Sequence, residues 1–367
     1  MVEYLAMHTS GRVKSVFAAI LAAGLLAGCA PEAEVVEEVE VAEATPPDAT
    51  VTIRAVGDML IHSDVYTTAS TGEGFDFSGM FDEMRPYLEG ADITTANMEV
   101  PVAGPEFELS GYPMFNAPPE IIDALQGAGV DIVNNATNHA MDRGGEGMEA
   151  STSNMRSRGM PYVGGYASPE DKATPRIIEE NGLKVGFLAY TYGTNGLPIP
   201  QEHLVSLIDH DVMRDEISAL EKQVDIVVTM LHMGEEYAPL PVDFQRETAQ
   251  VAIDAGADLI LGGHPHVVQP FEVADDHAVW WSHGNFLHGQ WEEETKVGGV
   301  GEFTFTRRGD GSLHVDRVRY MPTYTVGPPI SYDHHVIPLV QAQDYLDVAG
   351  WMEELNARLN VDVVDYL

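Results

Sequence analysis

The chain has 367 residues, 44% of them hydrophobic, which is long and apolar enough to bury a core and excludes a wholly disordered chain. Its 58 acids against 19 bases give a net charge of −39, a surface that excludes nucleic acid as a natural partner. Only five of the bases are Lys; a high-salt habitat, with a Debye length of about 3 Å at 1 M, would make such self-repulsion tolerable.

In chain order, the first segment reads as an address, not as part of the fold. Arg12 and Lys14 precede an apolar run, Val16 to Leu26, that is too short to span a bilayer as a mature helix. It ends in Leu26-Ala27-Gly28-Cys29, and Cys29 is the only cysteine. Residues 1–29 resemble a bacterial lipoprotein signal peptide with its lipobox, which implies cleavage before Cys29 and lipidation of its thiol. A plain signal peptide with an incidental cysteine is the alternative. The lipobox reading puts the protein in the cell envelope, lipid-anchored on the extracytoplasmic face of a bacterial membrane. With Cys29 used in this way, the mature domain has no disulfide and no thiol ligand. Residues 30–50 are acidic and bounded by proline, and they read as a flexible tether.

From residue 51 onward one plan recurs. The stretches GADITTANMEV (90–100), GVDIVNNATNH (129–139), QVDIVVTMLHMG (223–234) and GADLILGGHPH (256–266) each place an Asp (Asp92, Asp131, Asp225, Asp258) before an apolar β-type run. Six to eight residues beyond that Asp stand potential metal ligands: Glu99, Asn138 and His139, His232, and His264 with His266. VTIRAVGDMLIH (51–62) adds Asp58 and His62. Strands rise about 3.3 Å per residue, so a similar count reaches a similar height in a sheet. Near-continuous apolar runs separated by helices predict strands buried on both faces, with ligands beyond their carboxyl ends. The spacing predicts helices over 79–89, 118–127, 144–158, 211–222 and 242–255, and a C-terminal amphipathic helix over 344–359. Strands are predicted over 184–190 and 277–283, with a hairpin over 300–322 turning at Arg307 to Gly311. A single domain over 51–325 follows, with residues 326–367 as an extension packed on it.

Five strand ends would thus deliver Asp, Glu, Asn and His to one rim. His264 and His266 flank Pro265; in an extended chain residues two apart share a side, and Pro265 biases His264 toward extended backbone. A mixed oxygen and imidazole set suits a borderline divalent ion of the Mn, Fe or Zn kind, and two such ions can share a carboxylate. Other features carry less. Ser282 beside His283 lacks a G-x-S-x-G elbow. His334-His335 reads as a surface pair, and Glu292 to Glu294 as a solvated face. No phosphate-binding loop or dinucleotide fingerprint occurs.

The motifs VGDMLIH, ANMEVPV, NATNHAMDRGGEG, LHMGEEY, DAGADLILGGHPHVVQPFE and WSHGNF, in that order, resemble the CapA family of poly-γ-glutamate capsule proteins, whose domain is similar to calcineurin-like metallophosphatases. The resemblance implies an α/β fold, a four-layer α/β/β/α sandwich with its site at the rim of two stacked sheets. It implies a first metal at Asp58, His62 and His266, a bridging Glu99, and a second metal at Asn138, His232 and His264. His139 would be the catalytic acid with Asp142 beside it, and Asn97, Arg143, Glu236 and Asn285 would touch substrate. Four departures stand out: Asp58-x-x-x-His62 where metallophosphatases usually have Asp-x-His, Glu99 where they usually have the shorter Asp, and Met233 and Thr137 where CapA proteins often have Trp and Asn. The function so implied is capsule synthesis, export or trimming, acting on poly-γ-glutamate or a phosphorylated small molecule alongside membrane capsule-synthesis proteins. A general extracytoplasmic metal-dependent phosphoesterase and a non-enzymatic scaffold of an export complex are the rival readings.

Overall fold

The computed structural model describes residues 47–367. The leader, Cys29 and most of the expected tether lie outside the described residues. In chain order the strands are β1 (Ala49–Leu60), β2 (Ile93–Asn97), β3 (Ile132–Asn134), β4 (Tyr162–Val163), β5 (Arg176–Glu180), β6 (Leu183–Thr191), β7 (Ile226–His232) and β8 (Leu259–Gly263). They continue as β9 (Phe271–Val273), β10 (Ala278–Trp280), β11 (Asn285–His288), β12 (Val297–Arg307), β13 (Leu313–Val326), β14 (His335–Pro338) and β15 (Asp362–Val363). One sheet runs β14-β13-β12-β1-β2-β3-β4, with β11 also beside β1 and β15 beside β13. The other runs β5-β6-β7-β8-β10-β9. The fold is therefore mixed α/β with two sheets.

Period-two alternation explains the layering. On β7, Ile226, Val228 and Met230 join the core shared with the first sheet. Their alternates Val227 and Leu231 face a second core with Met213, Ile217 and Leu220 of the helix His210–Glu221 and Ala249 and Ala252 of the helix Asp243–Asp254. β6 and β8 alternate in the same way: Val185, Phe187, Leu259 and Leu261 point to one core, Tyr190 and Ile260 to the other. Each apolar run is buried on both faces because both faces are covered.

The recurrent Asp has a local task. Asp92, Asp131, Asp225 and Asp258 each accept a hydrogen bond from a backbone N–H at the start of the neighbouring strand: Thr52 (2.7 Å), Thr94 (2.7 Å), Lys184 (2.8 Å) and Val227 (2.7 Å). Each Asp N–H in turn donates to the carbonyl of that same residue. This two-point clamp fixes the register β1-β2-β3 and β6-β7-β8, and so sets equal heights at the far ends of the strands. There Asp58 lies opposite Asn97, and Asn97 opposite Asn134.

Several expectations need correction. β1 begins at Ala49, paired with Arg307, so residues 49 and 50 belong to the sheet and not to a tether, and Asp48 just before them accepts from Arg308 at 3.0 Å. The helix expected over 79–89 divides into a 3-10 turn, Ser78–Phe81, and a short helix, Arg85–Leu88. Only Ala278–Trp280 of the strand expected over 277–283 is strand. The hairpin is present, longer than expected, as β12 and β13. Residues 326–367 add β14 and β15 to the large sheet. His334 is buried, its Nδ1 3.0 Å from the Thr68 hydroxyl, and is not part of a surface pair.

Candidate metal centre

The carboxyl ends of β1 and β2 supply Asp58 and, just beyond, Glu99; those of β7 and β8 supply His232 and the loop carrying His264 and His266. All five are buried. Their ligand atoms form two overlapping triads, Asp58 with Glu99 and His266, and Glu99 with His232 and His264, each mutually within 4.8 Å. A third triad joins His264 and His266 to the exposed Glu236. The Glu99 oxygens lie 3.6 Å from His232 Nε2 and 3.8 Å from His266 Nδ1. Neither Glu99 oxygen has a hydrogen-bond partner, nor does His264 Nδ1. A buried carboxylate left without donors is costly. A divalent cation is what this donor set lacks: two carboxylates and three imidazoles converge on it, and the residues fit.

The electrostatics agree. Burial, then the Asp58 charge, drives the Glu99 carboxyl well above its ordinary range. Burial would also raise Asp58, but the His266 hydrogen bond and the charges of His283, His266 and His232 overturn this and hold it low. Burial, then the like charge of His266, pushes His264 down to about 3; burial, then His264, pushes His232 well below its usual range. Neutral imidazoles and an ionised Asp58 are the protonation state a metal needs, and a cation's charge would bring Glu99 back to the carboxylate.

A polar shell orients these groups. Asn97 donates to Asp58 Oδ1 at 2.6 Å and accepts from Asn134 at 2.6 Å, and Asn134 in turn accepts from the Ala136 N–H at 2.8 Å. Asn138 Oδ1 lies 2.8 Å from His232 Nε2, beside the second triad. Asn285 Oδ1 lies 3.0 Å from His266 Nδ1, and its amide nitrogen donates to Gln290 and Thr295. Thr137, at a position of departure from the family, donates to the Glu99 carbonyl at 2.6 Å. Gly263 is required by close approach: a Cβ there would lie 2.8 Å from His283 Cε1 and 3.1 Å from Asp58 Oδ1.

His139 Nδ1 lies 2.8 Å from Asp142 Oδ2, which also accepts from the Phe115 N–H at 2.7 Å. The rest of the His139 ring lines a cavity of about 360 Å³ above the triads, together with His62, His266, Glu236, Tyr237 and Trp291.

Placement thus differs from expectation at several residues. His62 stands outside both triads, with Nδ1 2.9 Å from the Leu60 carbonyl and its ring edge-on to Phe115. Asn97 and Asn285, expected to touch substrate, are buried and turned toward Asp58, His232 and His266. Arg143, expected to touch substrate, bonds Ser110 and the Glu108 carbonyl and braces that loop. His264 and His266 are not extended: their φ values are +95° and +61°, so the loop turns at both and still brings the rings within 6.0 Å. Two shell residues escaped the sequence reading. Asn134 signals itself only by facing Asn97 across β2 and β3. His283 was set aside with Ser282, yet its buried Nδ1 lies 3.6 Å from Asp58 Oδ1.

The family model described as "Bacterial capsule synthesis protein PGA_cap" matches residues 52–290. The chain is 29% identical over 247 residues to the PGA biosynthesis protein CapA of Bacillus subtilis (strain 168), covering 64% of this chain and 63% of that protein. It is 30% identical over 280 residues to the capsule biosynthesis protein CapA of Bacillus anthracis, covering 72% and 66%. It therefore spans a little under two thirds of the length of these curated relatives. Among solved structures, the NAD nucleotidase of Haemophilus influenzae is similar at 10% identity and a TM-score of 0.48, over 87% of this chain and 65% of that one. A putative 5'-nucleotidase of Staphylococcus aureus is similar at 14% identity and a TM-score of 0.48, over 83% and 59%. Neither likeness carries a functional inference. The sequence match spans every residue of the two triads, and on that ground the chain belongs to the bacterial capsule synthesis protein family PGA_cap.

Proposed function

We propose that this chain is a metal-dependent, hydrolase-like capsule synthesis protein that acts on poly-γ-glutamate, or on a phosphorylated intermediate of its assembly, at the outer face of the cell envelope. The observation that carries the reading is Glu99, a buried carboxylate with both oxygens unpartnered, shared by two imidazole-containing triads. Asp58, Glu99 and His266 would hold one ion, and Glu99, His232 and His264 the other, with Asn138 beside His232. When bound, a pair of divalent ions of the Mn, Fe or Zn kind supplies Lewis acidity and activates water at neutral pH.

The chain's own residues do the rest. Asn97 and Asn285 hold Asp58 and His266 in place. Asp142 fixes His139 through Nδ1, so a protonated His139 presents its Nε2 proton to the cavity and hands it to the leaving oxygen or nitrogen. No Lys or Arg lines that cavity, and Glu236 and Glu292 do. Beyond a protonated His139, a polyanion therefore meets attraction there only from the bound cations, which makes them the main source of binding. Leu26-Ala27-Gly28-Cys29 supports a lipid anchor at Cys29 that would keep the domain beside membrane capsule-synthesis proteins.

The test is turnover of a phosphodiester and of a γ-glutamyl amide by the metal-loaded protein. His139→Asn should lower kcat by about 10²-fold or more while the metal content stays unchanged. Equal turnover in the variant, or none in the metal-loaded wild type, contradicts the reading.

A further inference from the structure

Glu236 is left over once the two buried triads have taken their ligands. It lies in the loop after β7, it is exposed, and it lines the cavity above the triads. No Lys or Arg of that cavity faces it. We infer that Glu236 is a removable metal ligand, a carboxylate that closes the solvent side of the ion pair until an anion displaces it. The inference rests on the metal-dependent reading above, and it replaces the expectation that Glu236 touches substrate.

Its position comes first. His266 belongs to the first triad and His264 to the second, and Glu236 forms the third triad with both, every ligand atom within 4.8 Å of the others. It thus reaches ligands of both ions from the solvent side, as Glu99 does from inside the fold. Two ions can share a carboxylate. His266 Nδ1 is taken by Asp58 and Asn285, while His264 Nδ1 is buried with no partner. Two ligands about 2.1 Å from one ion stand up to about 4.2 Å apart, so a small swing of an exposed side chain completes the set.

The backbone holds Glu236 over this place. The Met233 N–H donates to the Gly263 carbonyl at 3.0 Å, and the Tyr237 N–H donates to the Pro265 carbonyl at 2.8 Å. The loop is therefore tied to the His264-Pro265-His266 turn on both sides of Glu236. The chain turns at Gly234, with φ +129°, and again at Tyr237, with φ +66°. A Cβ at Gly234 would lie 3.0 Å from Pro265 Cγ, a close approach of the two loops that needs glycine.

Burial separates the two carboxylates. Glu99 is fully enclosed and cannot leave the ions, whereas Glu236 is anchored by its backbone alone and its side chain is free to rotate away. An anionic substrate entering from the cavity takes the place that Glu236 gives up.

The experiment titrates Mn into the purified chain after chelator treatment, for wild type, Glu236→Gln, Glu236→Asp and Glu292→Gln. Glu292 lines the same cavity with the same charge but belongs to no triad. Glu236→Gln should weaken the more loosely held ion about tenfold or more, Glu236→Asp less, and Glu292→Gln little. In Co-loaded protein the visible absorption, which reports the ligand set, should change in Glu236→Gln and not in Glu292→Gln. At saturating Mn, inorganic phosphate should bind Glu236→Gln about tenfold more tightly than wild type, since it no longer displaces a ligand. A wild type that binds no Mn overturns the metal-dependent reading and this inference together. A wild type that binds Mn, matched by Glu236→Gln in affinity and in Co absorption, overturns this inference alone. Equal weakening by Glu292→Gln, with the Co absorption of Glu236→Gln unchanged, assigns the effect to charge and also overturns it.

Discussion

Glu99 carries most of the chemistry at the residue scale. It is fully buried, and no donor reaches either oxygen. Burial that drives the Glu99 carboxyl well above its ordinary range costs stability in metal-free protein, and a neutral amide avoids that cost; a bound cation reverses the balance. Glu99→Gln should therefore raise the melting temperature of metal-free protein, by an amount on the order of 1–3 kcal/mol in stability. In protein saturated with Mn or Zn the same substitution should lower it. Thermal melts of both proteins with and without chelator check this, and a variant less stable in both states contradicts it. At this scale most of the ligands were legible because they stand six to eight residues beyond a recurrent Asp. Asn134 and His283 were not. What makes them matter is a neighbour 37 positions away across a sheet for Asn134, and Asp58 for His283. Neither pairing leaves a mark in local sequence.

The strand-opening Asp is the unit that recurs among the elements. Its place in the sequence was plain, but its task, clamping a backbone N–H on the preceding strand, depends on which strands are neighbours. Asp258 is the deepest test. Burial is the chief cause raising its carboxyl from 3.8 to about 7, against the Val227 hydrogen bond that lowers it. The folded value lies above the unfolded one, so the group's contribution to stability is full below about pH 4 and is lost as pH rises through about 7. Asp258→Asn keeps an acceptor for Val227 and cannot ionise. Denaturant melts should show the variant gaining on the wild type between about pH 5 and about pH 8; a gap that stays constant over that range contradicts the assignment. The loop after β8 marks the other limit of sequence reading. Pro265 suggested extended backbone, yet His264 and His266 both take positive φ. The rings converge because the chain turns back over the strand ends, a tertiary effect that outweighs the local preference. The helix expected over 79–89 failed for a local reason instead: Pro86 starts a new helix at Arg85 rather than continuing the turn before it.

For the molecule as a whole, the candidate metal centre is the place where residues of the two sheets converge in chemistry as well as in packing. Asp58 and Glu99 come from the large sheet, and His232, His264 and His266 from the smaller one. Two alternating apolar faces were enough to foresee a layered α/β fold, since each run had to be covered twice. The net charge of −39 was legible too, and it sharpens the functional question, because the substrate proposed above, poly-γ-glutamate, is itself a polyanion. Cations held at the shared rim would answer that question. The most direct measurement is therefore metal content, by mass spectrometry of protein purified without tag or chelator, for the wild type and for His264→Ala/His266→Ala. About two equivalents of Mn, Fe or Zn in the wild type, largely lost in the double variant, is the predicted result. A folded wild type that takes up no metal even after reconstitution would contradict the account.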